Sequence, residues 1–181
     1  MEAMSEFEAI LAFSVLLIGL AVALYLVVYT LLTGAPPMPS STRMRLACVD
    51  LLPSKVKGEV IELGSGWGGL TFLLYRRYKG QQVIGLERSP LPWLVAWFRA
   101  LLVGGPQFKK QDFTQHPLDG VGLCVCYLNP EVMVPTAAWL EQGMPKGGWV
   151  GSIGFAIPGK EPVKVQRVDD LLKTPIYLYR Y

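Results

Sequence analysis

A cluster of glycines between residues 62 and 69 is the part of the sequence best suited to bind a ligand. The segment reads Glu-Leu-Gly-Ser-Gly-Trp-Gly-Gly and lies between a short apolar run, expected to be a strand, and a stretch with helical spacing. Glycine lets the backbone turn tightly and lets a ligand approach more closely than a Cβ atom permits. Ligands of open α/β sheets bind at the carboxyl ends of the strands, where this segment begins. The sequence therefore predicts a ligand-binding turn after the first strand.

Two cofactors that contain adenosine fit this turn. Gly64, Gly66 and Gly69 match the G-x-G-x-x-G pattern of dinucleotide sites, and Glu87, further along at the end of the second predicted strand, is placed to hold a ribose diol. S-adenosylmethionine (SAM) fits as well, because a carboxylate such as Glu62 attracts its sulfonium and ammonium charges. The same carboxylate repels the pyrophosphate of a dinucleotide. The position of Glu62, two residues before the glycines, therefore favours SAM.

Two further features favour SAM over a dinucleotide. Asp112 ends the third predicted strand, where its carboxylate can accept a hydrogen bond from an adenine amino group, and Phe113 can pack on the adenine ring. The chain also offers no obvious second domain to hold a hydride acceptor. We therefore predict SAM as the cofactor and keep NAD as the alternative. The predicted cofactor-binding residues are Glu62, Gly64, Ser65, Gly66, Gly68, Glu87, Arg88, Asp112 and Phe113.

The segment Tyr127-Leu128-Asn129-Pro130 follows the fourth predicted strand, at the edge of the sheet where acceptor-facing groups lie. We predict that the side chain or the backbone carbonyl of Asn129 orients the acceptor nitrogen and that Tyr127 lines the methyl channel. A simple Asn-Pro turn at a strand end explains the same residues equally well. Both interpretations stay open at this point.

The sequence gives no indication of a metal site or of nucleic-acid binding. Cys48, Cys124 and Cys126 match no zinc spacing, so we expect reduced, buried thiols and predict no metal. Basic residues form small pairs, such as Lys109 and Lys110, instead of a continuous patch. We therefore predict no nucleic-acid partner.

Strands and helices alternate along the chain after residue 41. Apolar strands that alternate with helices are typical of a parallel sheet covered on both faces, so the fold class is doubly wound α/β. The predicted strands are residues 58–63, 82–87, 108–113, 121–128, 148–155, 163–167 and 176–181, and the predicted helices are residues 42–52, 70–78, 91–102 and 132–142.

An uncharged apolar segment precedes this domain. It runs for 24 residues from Ala9 to Leu32, which as a helix spans about 36 Å, enough to cross a bilayer core. The acidic leader and the length of the segment favour a permanent anchor over a cleaved signal peptide, and its lack of charge favours an anchor over a buried core helix. Every basic residue follows it, beginning with Arg43, so we expect the domain on the cytoplasmic side, or in the equivalent organellar compartment.

The expected organisation has three parts. Residues 1–33 form the leader and the transmembrane anchor, residues 34–41 form a Pro-rich linker, and residues 42–181 form the α/β domain. The linker reads Gly-Ala-Pro-Pro-Met-Pro-Ser-Ser, a composition that is typical of a short, stiff spacer.

Acidic residues at three successive strand ends, with Gly-x-Gly-x-Gly after the first, resemble the class I SAM-dependent methyltransferases with their Rossmann-like sheet. From about Pro39 to Tyr181 the chain resembles a narrower group, the membrane-anchored protein-lysine methyltransferases of the ATP synthase c-subunit and the adenine nucleotide translocase, with their prokaryotic relatives. The matching segments are Pro-Ser-Ser before the helix that ends at Leu51-Leu52, ELGSG, GLERSPLPWLV, QDF, YLNPEVM and IYLYRY.

The resemblance implies methylation of a lysine side chain on a protein, plausibly a membrane-embedded one. The chain departs from the group at Trp67-Gly68-Gly69, where the group usually reads Asp-Gly-Arg, and at Glu62, where aspartate is more common. Two alternatives remain: a methyltransferase for a lipid or an apolar small molecule, and a SAM-binding membrane module without catalysis. The sequence leaves the acceptor and the oligomeric state open.

Overall fold

The computed structural model describes residues 2–33 and 40–181, so most of the predicted linker lies outside the described residues. The chain divides into two compact units, one reaching to Pro39 and the other running from Ser40 to Tyr181.

The first unit contains helix α1, Glu2–Thr33. Within it, Ser5–Tyr25 is long and apolar enough to cross a membrane, judged by length and composition, with a mean hydropathy of 2.5. Large apolar side chains from Phe7 to Leu24 are exposed in this unit. Water does not favour such a surface.

The second unit is an α/β domain. Its helices are α2, Thr42–Leu51; α3, Gly69–Arg77; α4, Pro90–Val103; and α5, Pro130–Gly143. Its strands are β1, Glu59–Leu63; β2, Val83–Glu87; β3, Gln107–Lys110; β4, Val121–Cys126; β5, Trp149–Ile153; β6, Lys164–Arg167; and β7, Pro175–Arg180. A short 3-10 helix covers Phe113–Gln115.

The seven strands form one sheet in the order β3-β2-β1-β4-β5-β7-β6. The first five are parallel, as the sequence predicted, but β7 is antiparallel to both β5 and β6. A parallel pair needs a long crossover, whereas residues 168–174 suffice for the tight reversal between β6 and β7. The strand order reverses between β1 and β4, which is where ligands bind in such sheets.

Helices pack on both faces of the sheet. On one face, residues of α2 and α3 such as Cys48 and Leu74 pack against β1 and β4, and α4 packs nearby through Ala96 and Ala100. On the other face, Met133 and Leu140 of α5 pack against the same strands. β2 and β4 are buried along their whole length, which explains their continuous apolar sequences.

Local capping fixes where the helices begin. The Ser41 side chain accepts a hydrogen bond from the backbone N–H of Met44 and so caps α2. Both α4 and α5 begin with a proline. Proline lacks an N–H, but the first N–H groups of a helix have no acceptor within the helix, so no hydrogen bond is lost.

Candidate cofactor and acceptor site

The glycine turn joins β1 to α3. Its backbone has a conformation that is energetically unfavourable for residues other than glycine. Gly64, Gly66 and Gly68 have φ angles of +69°, +52° and +80°, all in the left-handed region. The N–H of Ser65 donates to the Leu86 carbonyl of β2 at 2.9 Å, and the N–H of Gly68 donates to the Ser65 carbonyl at the same distance. The turn is therefore held at the carboxyl ends of β1 and β2.

Glu87 lies against the glycine turn. Its Oε2 accepts from the N–H of Gly66 at 2.7 Å, and its Oε1 accepts from the N–H of Ser89 at 2.7 Å. The side chain is buried at the end of β2. The structure thus brings Glu87 to the turn, and its two oxygens tie the turn to the start of α4.

Glu62 is a buried acid beneath the turn. The Thr71 hydroxyl donates to its Oε2. The pKa of Glu62 is raised to about 8, mainly by burial; the hydrogen bonds from Thr71 and the charge of Arg45 oppose this rise, and the charge of Glu87 adds to it. A carboxylate held in this setting favours a neighbouring cation, because a positive charge stabilises the ionised form.

Sequence reasoning missed Arg45 of α2. Its guanidinium occupies the space beside Gly69, where an added Cβ would lie 1.7 Å from Nη1. Its Nη2 donates to the Thr42 hydroxyl at 3.1 Å, and its buried Nε has no hydrogen-bond partner among the described residues. The departure at Gly69 therefore leaves room for a cation that comes from another helix. No local motif signals this, because residues 45 and 69 meet only in the folded domain.

The third predicted strand ends earlier than expected. β3 stops at Lys110, and Asp112 caps the 3-10 helix instead, because its Oδ1 accepts from both the N–H and the hydroxyl of Thr114. Its Oδ2 lies 3.9 Å from Nη1 of Arg88. The prediction that Asp112 ends a strand is wrong, because capping competes with strand pairing. The predicted hydrogen bond from an adenine amino group to Asp112 stays a prediction.

Phe113 packs on the sheet face that α5 covers. Its ring meets the Trp139 ring edge-on, with centroids 5.6 Å apart. It is partly buried against the core that contains Leu63 and Leu86. The predicted stacking on an adenine ring stays a prediction.

The turn has features that suit a ligand with polar and cationic groups. Ser65 is buried, and its Oγ has no hydrogen-bond partner in the described part of the chain. A buried hydroxyl normally has a partner, so a water or a ligand atom belongs there. A Cβ added at Gly66 would meet nothing within 4 Å, so the space above the turn is open. Two carboxylates, an unpaired hydroxyl and this space fit SAM.

The segment after β4 lies beside the glycine turn. Leu63 of β1 pairs with Cys126 of β4, and a Cβ added at Gly64 would lie 3.0 Å from a methyl carbon of Leu128. Tyr127 packs against Gly154 on the neighbouring strand end, and burial raises its pKa, as does the charge of Asp170. Tyr127 therefore stays neutral near pH 7.

Asn129 caps α5. Its Oδ1 accepts from the N–H of Val132 at 3.0 Å, and its carbonyl accepts from the N–H of Met133 at 3.1 Å. The side-chain oxygen thus binds the start of the helix, which agrees with the interpretation of this segment as an Asn-Pro turn. The backbone carbonyl keeps a second lone pair for another donor.

The cysteines are buried inside the domain. Cys48, Cys124 and Cys126 are free, and burial raises the pKa of the Cys126 thiol to about 11. Within residues 2–33 and 40–181, no group of three or more His, Cys, Asp or Glu side chains could hold a metal ion.

Solved structures of methyltransferases share this architecture. An RNA methyltransferase from Salinibacter ruber in complex with S-adenosyl-L-homocysteine has a TM-score of 0.68 and 21% identity, covering 79% of this chain and 93% of the other. A ribosomal protein L11 methylase from Lactobacillus delbrueckii subsp. bulgaricus has a TM-score of 0.61 and 16% identity, covering 76% and 77%. At these identities the likeness shows the fold. No curated protein matches the chain by sequence.

The sheet order, the glycine turn and these likenesses define a Rossmann-like class I methyltransferase fold. The family described as "ANTKMT methyltransferase domain" matches residues 62–164, from the end of β1 to the start of β6. The chain belongs to this family, so it is a SAM-dependent methyltransferase. The predicted fold class, family and cofactor are thereby confirmed.

Proposed function

We propose that this protein is a membrane-anchored methyltransferase that methylates a lysine side chain of a membrane-embedded protein. The observation that carries the proposal is the family match, which spans the glycine turn and the segment after β4. The apolar helix at Ser5–Tyr25 supports the anchor, and the basic residues that follow it support a domain on the cytoplasmic side or in the equivalent organellar compartment.

The residues around the turn would hold the cofactor by charge and hydrogen bonding. Glu87 would accept from the ribose hydroxyls, which requires its carboxylate to give up or share the amides of Gly66 and Ser89. Glu62 would favour the positive end of the cofactor, and Arg45 lies close enough to Glu62 to lower its pKa. When bound, SAM supplies an electrophilic methyl group. The protein's part is mainly to align the acceptor and to exclude water.

The acceptor would reach the site beside the segment after β4. A lysine amine has a free pKa of about 10.4, so the site must favour its neutral form. Tyr127 offers an apolar ring and a neutral hydroxyl there. The Asn129 carbonyl can accept a hydrogen bond from an acceptor N–H, while the Asn129 side chain fixes the start of α5 and so the position of that carbonyl. In this arrangement Asn129 is a positioning residue.

Confinement to one membrane supports a membrane-embedded acceptor. An enzyme and a partner held on the same surface meet at a raised effective concentration, without any new contact between them. An apolar anchor therefore suits an enzyme whose acceptor does not leave the bilayer. We place the acceptor in the class of integral membrane proteins on this argument.

The experiment incubates the full-length protein with methyl-labelled SAM and membranes of the organism that makes it. Protein and lipid are then separated, and the label is traced to residues by mass spectrometry. We expect label in methyllysine of a membrane protein, and none with Glu87→Ala. Label in the lipid fraction would establish the lipid alternative instead. Binding of SAM without transfer to either fraction would leave a non-catalytic module.

A further inference from the structure

Helix α4 presents an unusual surface to its surroundings. Its inward stripe consists of the small residues Pro92, Ala96 and Ala100. Its large apolar residues lie on the outside, and eight of them are more than 40% exposed. Those furthest out are Phe98, Leu101, Leu102 and Val103, at 54%, 64%, 69% and 66%. The packing of the domain does not account for large apolar side chains on this face.

The charged side chains of α4 and of β3 are all basic. From Arg88 to Gln111 the sequence has four cations and no acid, the cations being Arg88, Arg99, Lys109 and Lys110. The Arg99 guanidinium lies 4.4 Å from the centroid of the Phe72 ring, and the Lys110 ammonium lies 5.9 Å from that of Trp93. Trp93 in turn stacks on Trp97 of the same helix. Aromatic and basic residues therefore border the apolar surface.

We propose that the exposed face of α4 docks the domain onto the lipid bilayer, with its apolar side chains at the level of the acyl chains and its cations at anionic headgroups. An apolar helix face bordered by basic and aromatic residues is what the membrane interface favours. This inference rests on the proposed membrane anchor. It goes further, because it assigns a second membrane contact to the catalytic domain.

Chain length and charge argue for the bilayer as the occupant. The eight residues between α1 and α2 reach at most about 29 Å when fully extended, so an anchored α1 keeps the domain near the membrane. A second copy packed through the same face would bring Arg88, Arg99, Lys109 and Lys110 close to their own like charges. An anionic lipid surface instead complements them.

Docking through α4 would also set the position of the site. α4 follows Glu87 after two residues, and the N–H of Ser89 donates to that carboxylate. The cofactor end of the sheet would then lie close to the headgroups, where an acceptor lysine at the membrane surface is within reach. This placement suits the acceptor class in the proposed function.

The test uses the full-length protein with one introduced cysteine, Leu102→Cys, and a matched control, Leu171→Cys. Leu171 is fully exposed in the connection between β6 and β7, and the three native cysteines are buried, so each variant takes an environment-sensitive label at one site. The variants are reconstituted into vesicles of zwitterionic and anionic phospholipids. Flotation reports anchoring, and quenching by iodide in water or by nitroxide lipids in the bilayer reports where the label lies.

We expect the label at residue 102 to be quenched severalfold more by nitroxide lipids than by iodide, and the label at residue 171 to show the reverse. If the chain floats but iodide reaches both labels equally, the docking proposal fails while the anchor stands. Protection of residue 102 from both quenchers means that protein covers the face, which also overturns docking. A chain that does not float contradicts the anchor and the docking together. No methyl transfer is involved, so catalysis does not affect the outcome.

Discussion

The backbone N–H of Gly66 donates to Oε2 of Glu87 at 2.7 Å, although the two residues are 21 positions apart. The other oxygen of Glu87 accepts from Ser89 at the same distance. The carboxylate thus joins the turn after β1 to the turn after β2. A residue predicted to bind the cofactor also holds the loop that faces it.

Removing the carboxylate at residue 87 should loosen the glycine turn before any cofactor is added. In Glu87→Ala both backbone amides lose an ionised partner, and hydrogen bonds to charged groups contribute about 1.5–3 kcal/mol each. We expect faster hydrogen exchange at Gly66 and Ser89, measured by NMR, with little change in the core of β4. Glu87→Gln keeps one acceptor oxygen, so its exchange rates at Gly66 and Ser89 should lie between those of wild type and Glu87→Ala. Unchanged exchange at Gly66 would contradict the structural role.

The raised pKa of Glu62 predicts opposite effects of Glu62→Gln on stability and on cofactor binding. The folded protein holds a proton on Glu62 up to a pKa of about 8, whereas the unfolded chain releases it near 4.5. Stability therefore falls as the pH rises between these values. Glu62→Gln should remove this fall, which thermal unfolding at about pH 5 and pH 8 measures.

Cofactor binding should show the reverse dependence on the same group. The ionised form of Glu62 attracts the positive cofactor, so SAM affinity should rise as the pH approaches 8 and level off above it. In Glu62→Gln the affinity should stay low and lose this rise. Glu141→Gln, at an exposed acid, serves as the control. Equal pH dependence in wild type and Glu62→Gln would contradict the assignment.

Asn129 should act through its cap. Asn129→Asp keeps an oxygen for the N–H of Val132, so turnover should stay within about threefold of wild type, whereas Asn129→Ala loses a cap worth about 1 kcal/mol. Because the cap positions the carbonyl of residue 129, turnover in the alanine variant should fall more than about threefold, and Asn129→Ser should restore it. Steady-state kinetics measure this series. An alanine variant within threefold of wild type would remove Asn129 from the mechanism.

A side chain at Gly68 should cost more stability than the positive φ angle of this residue alone explains. Gly68 and Gly80 have φ angles of +80° and +83°, but an added Cβ at Gly68 would lie 2.7 Å from Cζ of Phe108, while at Gly80 it would meet nothing within 4 Å. Gly80→Ala should cost about 1 kcal/mol and Gly68→Ala about 2–4 kcal/mol of unfolding free energy. Denaturant unfolding measures both. Equal losses would mean that Phe108 moves aside freely.

The parallel part of the fold is predictable from the sequence because burial on both faces leaves continuous apolar runs. The strand at Val121–Cys126 is the clearest case, since all six residues are buried. The glycine turn is predictable for a similar reason, because three positive φ angles require glycine in a short space. Both features depend on residues that are close together in the sequence.

Other features depend on contacts between distant residues and are not predictable in this way. Arg45 meets Gly69 only after α2 packs beside α3, and the direction of β7 depends on its pairing with β5. Asp112 takes a cap position because the backbone N–H of Thr114 donates a hydrogen bond to its carboxylate. This bond forms in place of a longer strand β3. Helix α4 has the apolar composition of a core helix, yet its large side chains lie outside.

We propose that this turn holds SAM through its carboxylates, and calorimetric titration of the full-length protein in detergent tests this most directly. We predict that SAM binds at one site, that NAD gives no binding, and that Glu87→Ala weakens SAM binding by about tenfold or more, as the loss of a charged hydrogen bond implies. Binding of NAD, binding of neither compound, or unchanged SAM affinity in Glu87→Ala would contradict the account.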